Sequence, residues 1–119
     1  IVQALKNEPL SVYGDGKQTR SFCYVDDLVE GLIKLMNSNE VGPINLGNPS
    51  EFTIKQLAEL VISKVQNDLN ICYKELPQDD PLQRKPLIKK ALEKLSWAPS
   101  VPLSDGLDYT IEYFRKELL

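Results

Sequence analysis

The sequence predicts an α/β fold, and three observations predict it. Short strand-forming runs, Leu10–Tyr13 and Ile71–Tyr73, are interleaved with helical stretches whose apolar residues recur every three or four positions. Glycine and proline punctuate the junctions between them, as in Gly14-Asp15-Gly16, Gly47-Asn48-Pro49 and the loop from Leu76 to Pro86. A length of 119 residues suits one domain with a modest core and is thin for two, so residues 1–119 are expected to form a single region.

Each element follows from its local chemistry. Ile1 to Lys6 reads as the end of a helix that Asn7 and Pro9 stop. Leu10 to Tyr13 is strand-like, and the paired glycines after it supply a turn with positive φ. From Val25, apolar residues at Leu28, Val29, Leu32, Ile33 and Met36 mark one helix face, with Asp26 or its predecessor as cap. Pro43 to Gly47 reads as a short strand closed by glycine. Thr53 and Gln56 fit a capping box, after which Ile54, Leu57, Ala58, Val61 and Val65 line a second helix face. Ile71-Cys72-Tyr73 is the next strand. A short helix from Ile88 to about Leu95 follows the proline-bearing loop, and a last helix carries Leu107, Ile111, Phe114 and Leu118 on one side.

Composition narrows the function. Fourteen basic against seventeen acidic residues give a net charge of -3, which argues against a dedicated nucleic-acid binder. Lys85, Lys89, Lys90 and Lys94 gather in one region and are expected to form a solvated helix face. Cys23 and Cys72 lack metal spacing and sit among apolar residues, which fits a reducing, cytoplasmic setting. No apolar run approaches the ~18 residues of a membrane span. A first residue of Ile rather than Met points to a piece of a larger protein.

Two tempting motifs fail on geometry. Gly14-Asp15-Gly16 begins like a dinucleotide fingerprint, but position 19 is Thr and no helix opens there. Tyr13 and Lys17 have the spacing of a helical acid/base pair, yet two intervening glycines disfavour a helix by ~1 kcal/mol each. The chain contains no histidine, so His-based triads and His metal sites are excluded. Asp79 and Asp80 could ligate a cation, but adjacent loop carboxylates splay, and no metal site is expected.

Two arginines stand out. Arg20 follows the glycine turn and precedes Phe22-Cys23-Tyr24-Val25, which places it at a core edge, where its planar fork suits a phosphate or carboxylate. A salt bridge to Asp26, Asp27 or Glu30 is the equally weighted alternative. Arg84 lies between Pro81 and Pro86, which stiffen its loop and could aim it inward; a solvated arginine is the competing reading.

In order, VYGDGKQTRSFCYVDDLVEGL, PINLGNP, DDPLQRKPLIKKALEKLSWAPSVPL and GLDYTIEYFRKEL resemble the C-terminal part of extended short-chain dehydrogenases, the NAD-dependent epimerase/dehydratase family. The resemblance covers essentially the whole chain. The Arg-Lys-Pro context after Asp-Asp-Pro is most similar to the UDP-glucuronate decarboxylase (UDP-xylose synthase) branch. It implies the C-terminal substrate-binding region of such an enzyme, an α/β piece of about four helices and short strands without the N-terminal Rossmann domain. That domain would hold NAD, so no cofactor-binding residue is expected in this chain. The resemblance further implies a UDP-sugar substrate, a homodimer when full length, and no nucleic-acid or membrane partner. It places the uracil along Val12 and Tyr13 with Gln18 nearby, the diphosphate on Arg20, the ribose near Asp80, and Arg84 at the sugar carboxylate as the catalytic residue. The isolated fragment is expected to be inactive. A 4-epimerase or 4,6-dehydratase would share the first segment, and a non-catalytic binding module of the same fold is the further alternative. One departure is visible: the family pattern Pro-Asp-Ile is Pro86-Leu87-Ile88 here, which is expected to forfeit a helix cap worth ~1 kcal/mol.

Overall fold

A computed structural model describes residues 1–66 and 68–118. The elements are α1 (Val2–Leu5), β1 (Leu10–Tyr13), β2 (Thr19–Ser21), α2 (Val25–Met36), β3 (Glu51–Thr53), α3 (Ile54–Val65), β4 (Ile71–Lys74), α4 (Lys89–Leu95) and α5 (Leu103–Glu117). The expected α/β class holds, with five helices and four short strands among the described residues.

β1 and β4 pair in parallel, Leu10 opposite Ile71 and Tyr13 opposite Lys74. Parallel strands need a long crossover, and here it contains β2, α2, β3 and α3. α3 packs against β1, and α1 and α5 pack against α3. Their contacts form a first apolar cluster of Ala4, Leu10, Val12, Ala58, Val61, Leu107 and Ile111. α3 starts as its sequence dictates: the Thr53 hydroxyl accepts from the Gln56 N–H at 3.0 Å, and the Gln56 side chain accepts from the Thr53 N–H at 2.8 Å.

A second cluster is centred on Trp97, only 1% exposed, with Ala91 and Leu95 of α4. Cys23, Leu35, Ile44, Leu46 and Ile88 pack around it. The indole N–H donates to the Asp27 carbonyl at 2.9 Å. The Asp27 carboxylate accepts from the Ser100 N–H and hydroxyl, each at 3.0 Å, and from the Val101 N–H at 2.9 Å. A buried carboxylate with three donors is well satisfied. Neither Asp26 nor Val25 before it caps α2; the cap position is Tyr24, with no side-chain bond.

Several expectations are corrected. The apolar residues Val29, Leu32, Ile33 and Met36 of α2 are exposed, and the inward side is Asp27, Leu28, Gly31 and Leu35. Gly31 lets the helix approach closely, for a Cβ there would lie 3.0 Å from Trp97 and 3.1 Å from Leu46. Pro43–Gly47 is a loop rather than a strand. The antiparallel pair of β2 and β3, Arg20 opposite Phe52, was not foreseen, because Thr-Arg-Ser and Glu-Phe-Thr are too short and polar to signal strands. Cys72 is exposed; Cys23 is half-buried, and both are free thiols. Of the four gathered lysines, Lys85 lies outside α4. Ile88 rather than Leu87 occupies the α4 cap position, so residue 87 sits one step outside it. No described helix is long and apolar enough to cross a membrane.

Candidate functional site

The turn between β1 and β2 sets the site's first wall. Gly14 and Gly16 both have positive φ, 63° and 76°, a region that costs other residues steric strain. Gly16 also brings its carbonyl to the Lys55 N–H at 3.0 Å, where a Cβ would meet Val12 and Lys55 at 3.0 Å. The turn is thereby pinned to the start of α3, and β2 leaves it carrying Arg20.

β1 offers one outward edge. Leu10 and Gly14 donate to the Asn70 and Lys74 carbonyls on the β4 side. Successive residues of a strand alternate in direction, so Ser11 and Tyr13 face the opposite edge. There the Ser11 N–H donates to Gln3 Oε1 at 3.0 Å, and the Tyr13 carbonyl accepts from Gln18 Nε2 at 3.0 Å. Val12 is 1% exposed and belongs to the first cluster; Gln18 is 5% exposed and turns its amide onto its own chain.

Arg20 pairs with neither Asp26, Asp27 nor Glu30. Its Nη2 meets Asp80 Oδ1 at 2.6 Å, sixty residues away, and its Nη1 donates to the Thr19 carbonyl at 2.6 Å. With the side chain 18% exposed, these contacts orient the guanidinium and leave its remaining donors free for a ligand. Asp80 acts here as the carboxylate that aims Arg20.

The loop bearing Arg84 is laced to the β2–β3 pair. The Thr19 N–H donates to the Leu82 carbonyl at 2.8 Å, and the Ser21 hydroxyl donates to the Arg84 carbonyl at 3.3 Å. On its other side, Asn45 Nδ2 donates to the Leu87 carbonyl at 3.4 Å, and a Cβ on Gly47 would lie 3.0 Å from Pro86. These contacts close an open concavity of about 640 Å³ lined by Arg20, Ser21, Asn45, Leu46, Gln83, Arg84, Lys85 and Pro86. Three cationic side chains thus converge on one hollow, which suits an anionic ligand with more than one charged group.

Arg20 and Arg84 are brought together in this hollow, and Asp80 reaches it through Arg20. Val12, Tyr13 and Gln18 do not line it; Val12 and Tyr13 lie on the strand before the glycine turn, and Gln18 lies after the turn, just ahead of β2. Lys85 and Asn45 were missed as lining residues because one read as helix surface and the other as strand. Asp80 is paired with Arg20, and among the described residues no group of three or more Cys, Asp or Glu is arranged so that it could hold a metal ion.

A larger concavity of about 1080 Å³ lies elsewhere, walled by Phe22, Tyr24, Leu57, Leu107, Tyr109 and Tyr113 among others. It contains neither arginine and is dominated by apolar atoms, so an anionic ligand suits the smaller hollow better. Along that apolar wall, burial and then the Asp27 charge push the Cys23 thiol up, which keeps it protonated. Desolvation, with Asp26 and Tyr109 contributing, raises the Tyr24 hydroxyl.

Comparison with known proteins agrees with this architecture. The family model for the NAD dependent epimerase/dehydratase family matches residues 1–47. UDP-glucuronic acid decarboxylase 1 of Xenopus tropicalis is 55% identical over 118 residues, covering 99% of this chain and 28% of that protein. The Arabidopsis thaliana protein of the same name is 50% identical over 119 residues, covering 100% of this chain and 27% of its own length. The chain therefore spans little more than a quarter of these relatives. Among solved structures, UDP-glucose 4-epimerase from Thermotoga maritima, with UDP-glucose, superposes with a TM-score of 0.93 at 34% identity, covering 98% of this chain and 38% of that one. UDP-glucuronic acid 4-epimerase from Bacillus cereus, in complex with UDP-glucuronic acid and NAD, gives 0.90 at 29%, covering 97% and 38%. Along its whole length the chain is similar to proteins named UDP-glucuronic acid decarboxylase, and its residues 1–47 match the model of the NAD dependent epimerase/dehydratase family.

Proposed function

We propose that this chain is the nucleotide-sugar-binding part of an NAD-dependent UDP-glucuronate decarboxylase that yields UDP-xylose. The observation that carries the reading is the shared hollow of Arg20 and Arg84, at the end of a strand whose outer edge presents the Tyr13 N–H. Whole-length identity to proteins named UDP-glucuronic acid decarboxylase supports the substrate.

In this reading the uracil lies along the β1 edge beside Val12 and Tyr13, and Gln18 keeps that edge rigid by holding the Tyr13 carbonyl. Arg20, aimed by Asp80, takes the diphosphate; Asp80 keeps its second oxygen for a ribose hydroxyl. Arg84 receives the sugar carboxylate. The described residues do not fit NAD, since Gly14 and Gly16 turn into β2 rather than opening a helix, and the cofactor would be held by an N-terminal domain outside these 119 residues. NAD, when bound by that domain, would supply reversible oxidation of the sugar at C4. Once C4 is a ketone, the C5–C6 bond can break: CO₂ leaves, and the bonding electrons move onto the C4 oxygen as an enolate. A fixed guanidinium that held the carboxylate can then stabilise that developing charge. Arg84 is not the acid that reprotonates C5, because a guanidinium scarcely gives up its proton. The intact protein would work in the cytoplasm as a homodimer, and the 119 residues alone would not turn over.

The test is calorimetry on the intact protein that carries this chain, with UDP and UDP-glucuronate, beside an assay of CO₂ release. Arg20→Ala should weaken both ligands at least tenfold, the scale of one lost charge-assisted contact. Arg84→Ala should weaken UDP-glucuronate selectively and abolish CO₂ release. Unchanged binding of both ligands in both variants would overturn the proposal. The solved 4-epimerases favour a second reading, a 4-epimerase or 4,6-dehydratase; turnover of a UDP-sugar without CO₂ release selects it. Failure of the wild type to bind UDP selects a non-catalytic module.

A further inference from the structure

We infer that Glu51 is a positioning residue for Arg84, acting through Gln83. The inference rests on the role just proposed for Arg84. Glu51 opens β3 directly opposite Ser21 of β2. Its Oε1 accepts from Gln83 Nε2 at 2.6 Å and from the Thr19 hydroxyl at 3.3 Å. Across the ladder the Ser21 hydroxyl holds the Arg84 carbonyl. The rung of Ser21 and Glu51 therefore grips two consecutive residues of the loop, one by side chain and one by backbone.

The grip matters because little else fixes that stretch. Leu82, Gln83, Arg84 and Lys85 are all exposed, and no described helix or strand contains them. A loop without its own ladder or core contacts holds a geometry only through such cross-bonds. Of these, the contact between Gln83 and Glu51 is the short, charge-assisted one, the stronger kind of hydrogen bond. The Glu51 carboxylate hydrogen-bonds no residue of the hollow's lining except Gln83, so the influence of that side chain on a ligand passes through the loop. Thr19 completes the arrangement: its N–H holds Leu82 while its hydroxyl steadies the Glu51 carboxylate. Residues 82, 83 and 84 are thus each attached to the β2–β3 pair by a separate bond. Removing the middle one leaves the stretch held to the pair by its backbone carbonyls alone, at Leu82 and, by a longer 3.3 Å contact, at Arg84.

The test uses the intact protein and the ratio of its dissociation constants for UDP-glucuronate and UDP. Glu51→Ala should weaken UDP-glucuronate about tenfold while changing UDP less than twofold, the loss of one charge-assisted bond expressed at the carboxylate end only. Gln83→Ala, a change at an exposed loop residue that should leave folding intact, should reproduce that selective loss. The double variant should be no worse than either single one, because both remove the same bond. Glu51→Gln keeps an acceptor and should stay within about threefold of wild type. Additive losses, equal losses for both ligands, or no loss in Gln83→Ala would overturn the role of Glu51. If Arg84→Ala itself leaves the ratio unchanged, the assignment of Arg84 fails instead, and the inference falls with it.

Discussion

The cluster around Val12 and Val61 is assembled from several helix faces and a strand pair, whereas the cluster around Trp97 hangs on one large side chain. In the first, α3 and α5 each contribute several apolar positions, so no single residue decides the packing. In the second, Trp97 fills a space that Gly31 leaves open, and the Asp27 carbonyl fixes its indole. The arginine hollow rests on the second: Leu46 both packs near Trp97 and lines the hollow. The difference teaches that the binding surface depends on the less redundant of the two supports.

Three substitutions in the intact protein, read by native-state hydrogen exchange and by UDP-glucuronate calorimetry, probe that dependence. Trp97→Ala should lower the opening free energy of α4 and the neighbouring part of α2 by about 3–5 kcal/mol, the cost of emptying a large buried site. Affinity for UDP-glucuronate should fall with it. Gly31→Ala forces a Cβ to within 3.0 Å of Trp97 and 3.1 Å of Leu46. Overpacking there should cost about 1–3 kcal/mol and weaken binding several-fold, less than the tryptophan change. Ile111→Val, in the first cluster at 4% exposure, should cost about 0.5–1.5 kcal/mol in α5 and β1 amide protection and leave binding unaltered. Equal binding losses from Ile111→Val and Gly31→Ala would erase the distinction between the clusters.

The same contrast explains what was legible in the sequence. α3 could be read in full, because its capping box and its apolar face are local patterns that the fold uses as written. α2 has an equally regular stripe, yet Val29, Leu32, Ile33 and Met36 stay outside. Periodicity counts apolar residues, while the inward side here is chosen by a glycine that admits an indole from far along the chain. Arg20 and Arg84 were visible as candidates from residue type and stiff surroundings. The partner of Arg20 was not, since local spacing pointed to Asp26, Asp27 or Glu30, and Asp80 arrives only through tertiary closure. Glu51 was invisible for a similar reason. Its meaning lies in facing Ser21 across a ladder of three residues that sequence patterns are too short to announce. Leu87 shows the limit of a boundary argument: the cap lies at Ile88, so the anticipated loss at position 87 falls one residue outside the helix.

The parallel register of Leu10 with Ile71 carries a consequence for biosynthesis. During translation β1 must wait for its partner until the whole crossover has left the ribosome, and Arg84 emerges later still. Contacts so distant along the chain form slowly. A nascent polypeptide halted before that loop would expose a naked strand edge, a state that chaperones, rather than substrate, would be the first to meet.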